Sequence, residues 1–415
     1  MHKISTEYKA LFQPIEIGPV EIKNRIAMAP MNTLYADRAC ISEQQLAYYG
    51  ARARGGVSLI ITEAVVTSEW AYKQLYYNNL CLYDTEHVLG MNELAETVHA
   101  FGARIFVQLC VGFGVQGSSH RFGVQPVAPS AASIEIVPDM LPKQIRKWAD
   151  DVDPELLQKL APHVMGELCR AMTLQEISDA VEAFAKAAEF ADIAGFDGIE
   201  IHACHGYLMH DFLSPRFNKR EDEYGGTPEK RRRFLMQVLQ AARDNTRSGM
   251  AVGVRASAQE HMPDGIVLED TIDLVQELEK AGADYFHLSD GSYEALRYFL
   301  PDSDGQMIDE AREIKEATKM TVITPSIHSP KRAAKAVSDG ATDMVAEGRP
   351  LIADPQWANK VKEGRVRDIV KCTRCYKGCI MNLLLGLSTR CTVNPESGNE
   401  RYNPDYWRPS KGVRS

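Results

Sequence analysis

The sequence has little of what marks nucleic-acid-binding, membrane or secreted proteins. Among 415 residues, 47 Lys and Arg are outnumbered by 56 Asp and Glu, which leaves a net charge of -9. Binding to nucleic acid phosphates requires clustered positive charge, so nucleic acid is not expected as a partner. No apolar run approaches the roughly 20 residues of a membrane helix, and the first residues lack the apolar core of a signal peptide. We therefore expect a cytoplasmic protein without membrane contact.

Short β-branched segments alternate with longer amphipathic segments between Arg25 and about Gly364. This alternation is typical of repeated βα units around a parallel sheet. The predicted strands are Arg25–Pro30, Val57–Glu63, Arg104–Leu109, Gly198–His202, Ala251–Arg255, Tyr285–Ser289, Met320–Thr324 and Asp343–Glu347. The predicted helices are Glu43–Arg54, Val88–Phe101, Leu174–Ala194, Pro228–Thr246, Glu269–Ala281, Ile308–Ala317, Pro330–Asp339 and Asp354–Glu363. Eight strands, each followed by a helix, predict an α/β fold of the (β/α)8 TIM barrel type.

An open, doubly wound sheet is the alternative fold. Such a sheet normally has a Gly-rich turn after its first strand that leads directly into a helix, and the first predicted strand here lacks that turn. The G-x-G-x-x-G spacing from Gly112 to Gly117 follows the third strand instead, and Pro126 comes soon after it. We expect a loop there rather than a dinucleotide-binding turn.

The segment between the third and fourth strands is too long and too charged for a simple βα connection. It runs from about Ile134 to Met172. In a barrel such a loop lies at the catalytic mouth, so residues 134–172 could form a lid, and an added structural helix hairpin is an equal alternative. Thr173 and Glu176 have the spacing of a capping box, which marks the start of the next helix.

Three residues that can donate protons or hydrogen bonds follow the fourth strand, at the end where barrel enzymes carry their catalytic groups. His202 and His205 could donate together to one carbonyl oxygen, and the phenol of Tyr207 could donate a proton. Taken alone, a pair of histidines is more often structural. A metal site is a further interpretation, which no H-E-x-x-H pattern supports.

The nine cysteines are unevenly distributed. Five are scattered and are expected to pack as small apolar residues, while four crowd into twenty residues near the end of the sequence. In a reducing compartment such a group indicates a metal site before it indicates disulfides. Four thiolates can hold either zinc or an iron–sulfur cluster, and spacing alone does not decide between them. The four are Cys372, Cys375, Cys379 and Cys391.

The segment Glu200-Ile-His-Ala-Cys-His-Gly-Tyr207, with the residues up to Pro215, resembles the Old Yellow Enzyme family of flavin-dependent barrels. The hallmark of that family is E-I-H-x-A-[HN]-G-Y-L-L-x-Q-F-L-S-P, and the resemblance covers almost the whole chain. It implies that His202 and His205 hydrogen-bond the carbonyl oxygen of the substrate and that Tyr207 protonates the α-carbon, while reduced FMN delivers hydride to the β-carbon. Such hydrogen bonds strengthen as charge develops on the oxygen.

The same resemblance implies nine contacts to FMN. Asn32 replaces the usual Thr beside the isoalloxazine ring. Arg255 matches the cation near flavin N1, which favours the anionic reduced flavin. Ser326, Gly348 and Arg349 follow the last two strands, where barrels bind phosphate. The nine residues are Pro30, Met31, Asn32, Ala64, Gln108, Arg255, Ser326, Gly348 and Arg349.

The cysteine pattern C-x2-C-x3-C-x11-C, followed by x-x-N-P after a flavin barrel, resembles the [4Fe-4S] site of 2,4-dienoyl-CoA reductase, 2-enoate reductase and trimethylamine dehydrogenase. This implies an FMN barrel in residues 1–365 and a cluster-binding segment in residues 366–415. Relatives in that branch continue into FAD and pyridine-nucleotide domains, whereas this sequence ends about where those would start. We therefore expect a separate flavoprotein or ferredoxin to feed electrons through the cluster to FMN, and by resemblance a homo-oligomer.

The function implied is that of an ene-reductase, which saturates a C=C bond conjugated to the carbonyl of a ketone, acid or thioester. Tyr293 is expected to face the substrate, about where dienoyl-CoA reductases carry a catalytic His. One alternative is oxidative N-demethylation, as in trimethylamine dehydrogenase, which the two histidines disfavour because neutral donors suit an oxygen acceptor. Another is an electron-transfer subunit with an inert pocket, against which His202, His205 and Tyr207 argue together.

Overall fold

Eight parallel strands close into a ring in the computed structural model of the protein, which describes residues 5–75, 77–153, 155 and 167–408. The first strand pairs with both the second and the eighth, which completes the barrel. The predicted (β/α)8 barrel is confirmed, and each predicted strand is present with ends that shift by a few residues. The strands are β1 (Ile26–Met28), β2 (Leu59–Val66), β3 (Arg104–Cys110), β4 (Gly198–Ala203), β5 (Ala251–Ser257), β6 (Tyr285–Ser289), β7 (Thr321–Pro325) and β8 (Met344–Glu347).

A helix follows each strand on the outside of the ring. The predicted capping box is present, since Thr173 accepts from the Glu176 backbone and Glu176 accepts from the Thr173 backbone. In the described part of the chain, no helix is both long and apolar enough to cross a membrane. The helices are α1 (Glu43–Arg54), α2 (Thr85–His99), α3 (Leu174–Ile193), α4 (Pro228–Asp244), α5 (Leu268–Lys280), α6 (Ile308–Glu316), α7 (Pro330–Ser338) and α8 (Trp357–Lys362).

The N-terminal end of the barrel is closed by an antiparallel hairpin of the strands Ile15–Ile17 and Val20–Ile22. Its apolar side chains pack against the barrel interior, which includes Phe106, Tyr285 and Met344. Because that end is plugged, the open end lies at the C-terminal ends of the strands, where the βα connections gather.

Shorter elements occupy the connections. The strands Val127–Ala128 and Arg170–Ala171 pair in parallel at the base of the insertion predicted at 134–172, and Leu80–Cys81 pairs with β2. The Gly112 to Gly117 segment is a loop, as predicted, with one 3-10 turn. The other short helices are Thr6–Phe12, Glu69–Tyr72, Gly114–Gln116, Pro138–Met140, Lys143–Asp151, Leu208–Leu213, Leu296–Phe299, Arg349–Ala353, Val366–Asp368, Lys377–Met381, Asn382–Leu384, Glu400–Tyr402 and Pro404–Tyr406.

The described part of the insertion packs at the open end of the barrel. Ile145, on the helix Lys143–Asp151, is buried in a cluster with Leu296 and Leu300. Residues 154 and 156–166 lie outside the described residues, so the lid and the structural hairpin both stay predictions.

The C-terminal segment is held on the barrel at three buried points. Arg52 on α1 forms an ion pair of 2.6 Å with Glu400. The Tyr35 hydroxyl donates to the Thr389 carbonyl at 2.6 Å. Tyr376, beside the cysteines, donates to the carbonyl of Leu300 at 2.9 Å. The cysteines are thereby placed next to the open end of the barrel.

Candidate active site

A cavity of about 970 Å³, including the part open to solvent, lies at the C-terminal ends of the strands. Every barrel strand, or the loop that follows it, contributes to its wall, because parallel strands in one ring end at one edge. All the residues predicted to contact flavin or substrate line this cavity. They are Pro30, Met31, Asn32, Ala64, Gln108, His202, His205, Tyr207, Arg255, Tyr293, Ser326, Gly348 and Arg349.

A buried hydrogen-bond chain orients the amide of Gln108. Its Nε2 donates to Glu200 Oε1 at 2.7 Å, and Glu200 Oε2 lies 2.8 Å from His287 Nδ1. Burial lowers the pKa of His287. The amide nitrogen of Gln108 thus faces Glu200 as the hydrogen-bond donor. The carbonyl oxygen and the second N–H of the amide are left for a ligand in the cavity.

Two buried guanidinium groups in the wall of this cavity keep donors without a partner among the described residues. Arg255 Nε and Arg349 Nη1 are both buried and unpaired, although Arg255 also contacts Ser289 Oγ at 3.4 Å and Arg349 packs over the Tyr376 ring. An unpaired buried donor is costly unless a ligand satisfies it. The acceptor edge of a flavin ring and a phosphate group would do so, and the two residues therefore fit FMN.

Gly348 keeps the cavity open beside the segment that follows β1. A Cβ atom at this position would lie 3.0 Å from the sulfur of Met31 and 3.8 Å from Cβ of Ala29. Both neighbours belong to the segment that follows β1, so a larger residue would push against the predicted flavin contacts. The absence of a side chain at Gly348 leaves room for a ligand at the ends of β1 and β8.

The two candidate histidines are neutral. Burial, with the charge of Arg255 second, lowers the pKa of His202 to about 3 and places the pKa of His205 well below its usual range. Their ring centres lie 5.6 Å apart. A neutral imidazole donates through one nitrogen and accepts through the other. The pair can therefore donate hydrogen bonds to an oxygen without adding positive charge to the cavity.

Both ring nitrogens of His205 already have protein partners. Its Nε2 lies 2.6 Å from Ser289 Oγ, and its Nδ1 lies 3.4 Å from Cys204 Sγ. The ring also stacks on Phe299 at 3.8 Å. Burial raises the pKa of the Cys204 thiol, so this group stays protonated. Donation from His205 to a ligand would require exchange of one of these contacts.

Tyr207 lies between His202 and Tyr293. Its ring meets the His202 ring edge-on at 4.7 Å, and its hydroxyl oxygen is 3.2 Å from that of Tyr293. Burial holds the pKa of Tyr207 well above its usual value. The phenol is thus protonated at neutral pH and can act as a proton donor.

The four clustered cysteines surround a second, smaller cavity of about 330 Å³, together with Arg349 and Arg390. Cys379 lines both this cavity and the large one. All four cysteines are described, and no three of their sulfur atoms lie within 4.8 Å of one another. Among the described residues, only the ligand atoms of His202, Cys204 and His205 form such a tight group of three.

Several cavity residues escape sequence reasoning. Phe299, which stacks on His205, follows β6 without a recognisable motif. Ser289, which contacts His205 from behind the cavity residues, is the last residue of β6. His328 follows β7 and also lines the cavity. Ile380 and Leu383 come from the cysteine segment. The sequence gives one signal for them: Ile380 and Leu383 are both apolar and three residues apart, which places them on one face of a helix directly after Cys379.

Residues 10–368 match the sequence profile of the NADH:flavin oxidoreductase / NADH oxidase family. NADH oxidase of Thermoanaerobacter brockii is 37% identical over 401 residues, which are 95% of this chain and 57% of that protein. Cinnamate reductase of Clostridium sporogenes (strain ATCC 7955) is 32% identical over 419 residues, which are 95% of this chain and 59% of that protein.

A solved structure of 2-naphthoyl-CoA reductase with 2-naphthoyl-CoA matches with a TM-score of 0.85 and 28% identity, over 95% of this chain and 58% of that one. The chain spans less than three fifths of the length of each of these three proteins. The resemblance to Old Yellow Enzymes is confirmed at the level of the family. The chain belongs to the NADH:flavin oxidoreductase / NADH oxidase family, a family of flavin-dependent oxidoreductases.

Proposed function

We propose that the protein is an FMN-dependent ene-reductase, which saturates a C=C bond conjugated to the carbonyl of a ketone, acid or thioester. One observation carries the proposal: His202, Tyr207 and the expected flavin contacts line a single buried cavity. Two relatives support the substrate class, because cinnamate and 2-naphthoyl-CoA each contain a carbonyl conjugated to C=C bonds.

The roles of the side chains follow from their protonation states. FMN, when bound, supplies the hydride for the β-carbon. His202 donates a hydrogen bond to the carbonyl oxygen, where negative charge develops during the reaction, and this bond strengthens with that charge. Tyr207 gives its proton to the α-carbon. His205 contributes less than His202, because Ser289 and Cys204 hold both of its ring nitrogens.

The electrostatics of the cavity disfavour oxidation of a cationic amine. His202 and His205 are neutral, so they add no negative charge that would attract a cation. A neutral imidazole can donate a hydrogen bond to an oxygen, which a cationic amine does not offer. A substrate oxygen that becomes negative fits the same surroundings.

We also propose that Cys372, Cys375, Cys379 and Cys391 hold a [4Fe-4S] cluster. A single zinc ion with Zn–S bonds near 2.3 Å requires sulfur atoms about 3.8 Å apart, whereas no three of these described sulfurs lie within 4.8 Å of one another. The wider spacing supports a larger inorganic core. Electrons from a separate flavoprotein or ferredoxin would pass through it, since Cys379 lines both cavities.

The ene-reductase proposal is tested with anaerobically purified protein, using dithionite as the reductant and cinnamate or cyclohexenone as the substrate. Tyr207→Phe should lower the turnover by about 10²- to 10⁴-fold, because the proton donor is lost, and should retain FMN. Tyr402→Phe removes a hydroxyl from an exposed tyrosine and serves as the matched control. Unchanged turnover in Tyr207→Phe would contradict the assigned role, and absence of flavin would refute the main proposal.

The cluster is tested by metal analysis. Purified protein should contain about four iron and four sulfide per chain, and Cys375→Ser should lose iron while keeping FMN. Cys40→Ser, at a partly exposed cysteine outside the group, should keep both. One zinc ion per chain in place of iron would show that the site is structural.

A further inference from the structure

The surface of the cysteine segment is opposite in charge to the chain as a whole. Residues 366–392 contain five Lys and Arg and one Asp, a net charge of +4, whereas the whole chain carries -9. A local patch of one sign attracts partners of the other sign and raises the rate at which they associate. The segment that holds the cysteines is therefore the part of the chain suited to a negatively charged partner.

The positive side chains of this segment divide into an inner and an outer group. Arg390 lines the cysteine cavity and belongs to the inner group. Arg374 lies 3.5 Å from Asp304 and so is partly neutralised. Arg367, Lys371 and Lys377 are exposed, and none of the three makes an ion pair within the described part of the chain. Arg367 is the farthest of them from the cysteines along the chain. These two lysines belong to the outer group and face solvent.

The cysteine site has one side toward solvent and another toward the flavin cavity. Cys375 Sγ lies 3.1 Å from Thr392 Oγ1 in a solvent-exposed contact, whereas Cys379 lines the large cavity. Lys377 follows Cys375 by two residues, and Lys371 directly precedes Cys372. Each lysine is thus exposed and within two residues, along the chain, of a cysteine of the site.

Exposed apolar side chains lie in the same segment. Leu387 is 53% exposed and Val370 is 39% exposed. Val370 directly precedes Lys371 in the chain. Protein interfaces combine such apolar contacts with charges at their rim, and the charges contribute mainly to association rate and specificity.

We propose that Lys371 and Lys377 form a docking surface for an acidic one-electron carrier protein, which delivers electrons at the Cys375 side of the cysteine site. This proposal rests on the proposed function, since it requires the cluster and the flavin. Saturation of one C=C bond consumes two electrons and two protons. Two reduced carriers therefore dock in succession and leave oxidised, while the protons come from solvent, one of them by way of Tyr207.

The test measures binding of an acidic [2Fe-2S] ferredoxin to anaerobically purified holoprotein at low salt. In Lys371→Glu/Lys377→Glu the affinity should fall at least tenfold. Lys23→Glu reverses an exposed charge beside the hairpin, at the plugged end of the barrel, and should bind like the wild type. The difference should disappear near 1 M salt, where the screening length is about 3 Å. Basic cytochrome c should bind the double variant more tightly than the wild type.

Wild-type affinity for ferredoxin in the double variant, or equal loss in Lys23→Glu, would overturn the docking surface. Two controls separate a failure of the docking surface from a failure of the proposed catalysis and from loss of the cluster. Single-turnover oxidation of prereduced protein by substrate needs no docking, so its failure in the wild type would refute the proposed function alone. If the double variant loses iron, Lys371→Gln/Lys377→Gln replaces it, and a loss of affinity intermediate between wild type and charge reversal is expected.

Discussion

Replacement of Glu400 by Ala is expected to weaken the attachment of the C-terminal segment to the barrel. The side chains of Arg52 and Glu400 are 0% and 1% exposed, and their ion pair is 2.6 Å long. Glu400 Oε2 also accepts from the Gly398 N–H at 2.7 Å. Arg52 Nη1 also donates to the Tyr48 carbonyl and Nε donates to the Leu351 carbonyl, while Nη2 is buried without a partner among the described residues. In Glu400→Ala the guanidinium stays buried without a counter-charge.

The size of the effect follows from burial and chain length. Removal of one partner from a buried ion pair destabilises a protein by about 3–5 kcal/mol. An unfolding entropy of about 2.1 cal/mol/K per residue, over 415 residues, gives about 0.9 kcal/mol/K. The melting temperature of Glu400→Ala should therefore fall by about 3–6 °C. Glu400→Gln keeps the shape of the side chain and one hydrogen-bond acceptor, so its melting temperature should fall by less.

The assay is calorimetry of the holoprotein, with iron content measured before heating. Glu363→Ala is the matched control. Glu363 pairs with Arg365, and the two side chains are 41% and 47% exposed. Such exposed pairs contribute roughly 0–1 kcal/mol to stability. Glu400→Ala should also retain less iron than the control, since the segment that carries the cysteines is anchored less firmly. Equal melting temperatures for Glu400→Ala and Glu363→Ala would refute the reasoning.

Three further predictions concern the cavity. Tyr293→Phe removes the hydroxyl that lies 3.2 Å from that of Tyr207. Its turnover should stay within roughly tenfold of the wild type, because the proton donor Tyr207 remains. A loss in steady-state assays as large as that of Tyr207→Phe would show that Tyr293 is as important for proton donation as Tyr207. Arg349→Ala should weaken FMN binding by about 10- to 100-fold, since a charged hydrogen bond contributes about 1.5–3 kcal/mol. Fluorescence titration of the flavin-free protein with FMN measures this loss, and Arg297→Ala, at an exposed arginine, is the control that should bind FMN like the wild type. The pKa of His202 is about 3 in the folded protein and about 6.5 in the unfolded chain. Its contribution to stability is therefore present above pH 6.5 and is lost as the pH falls toward 3. Between pH 7 and pH 5 the melting temperature should fall more steeply in the wild type than in His202→Gln, and equal slopes would contradict a neutral, buried His202 ring.

The pattern of helices and strands could be predicted because its signals are local. Hydrophobic periodicity and capping residues act within a few positions along the chain. Helix α1 has the predicted bounds Glu43–Arg54, with Ser42 and Gln45 forming its capping box. The bounds of β2 differ by a few residues, since pairing with both neighbours decides where a strand ends. Closure of the ring followed from the number of βα units.

The candidate site was only partly predictable from the residues themselves. His202, His205 and Tyr207 lie within six positions of one strand end, so their proximity is local. The expected flavin contacts come from six of the eight strand ends, and they were found through the family resemblance. The structure brings them into one cavity, which parallel strand order explains.

The sequence by itself determined the barrel, the chemical groups at its open end and the grouping of the four cysteines, because each depends on spacing along the chain. Only the tertiary structure decided that Ser289, 84 residues from His205, contacts one of its ring nitrogens, and that Cys379 lines the same cavity as the expected flavin contacts. Such contacts depend on side-chain direction and on the packing of distant segments across a closed ring. Local spacing does not encode those quantities, so they appear only when the chain is folded.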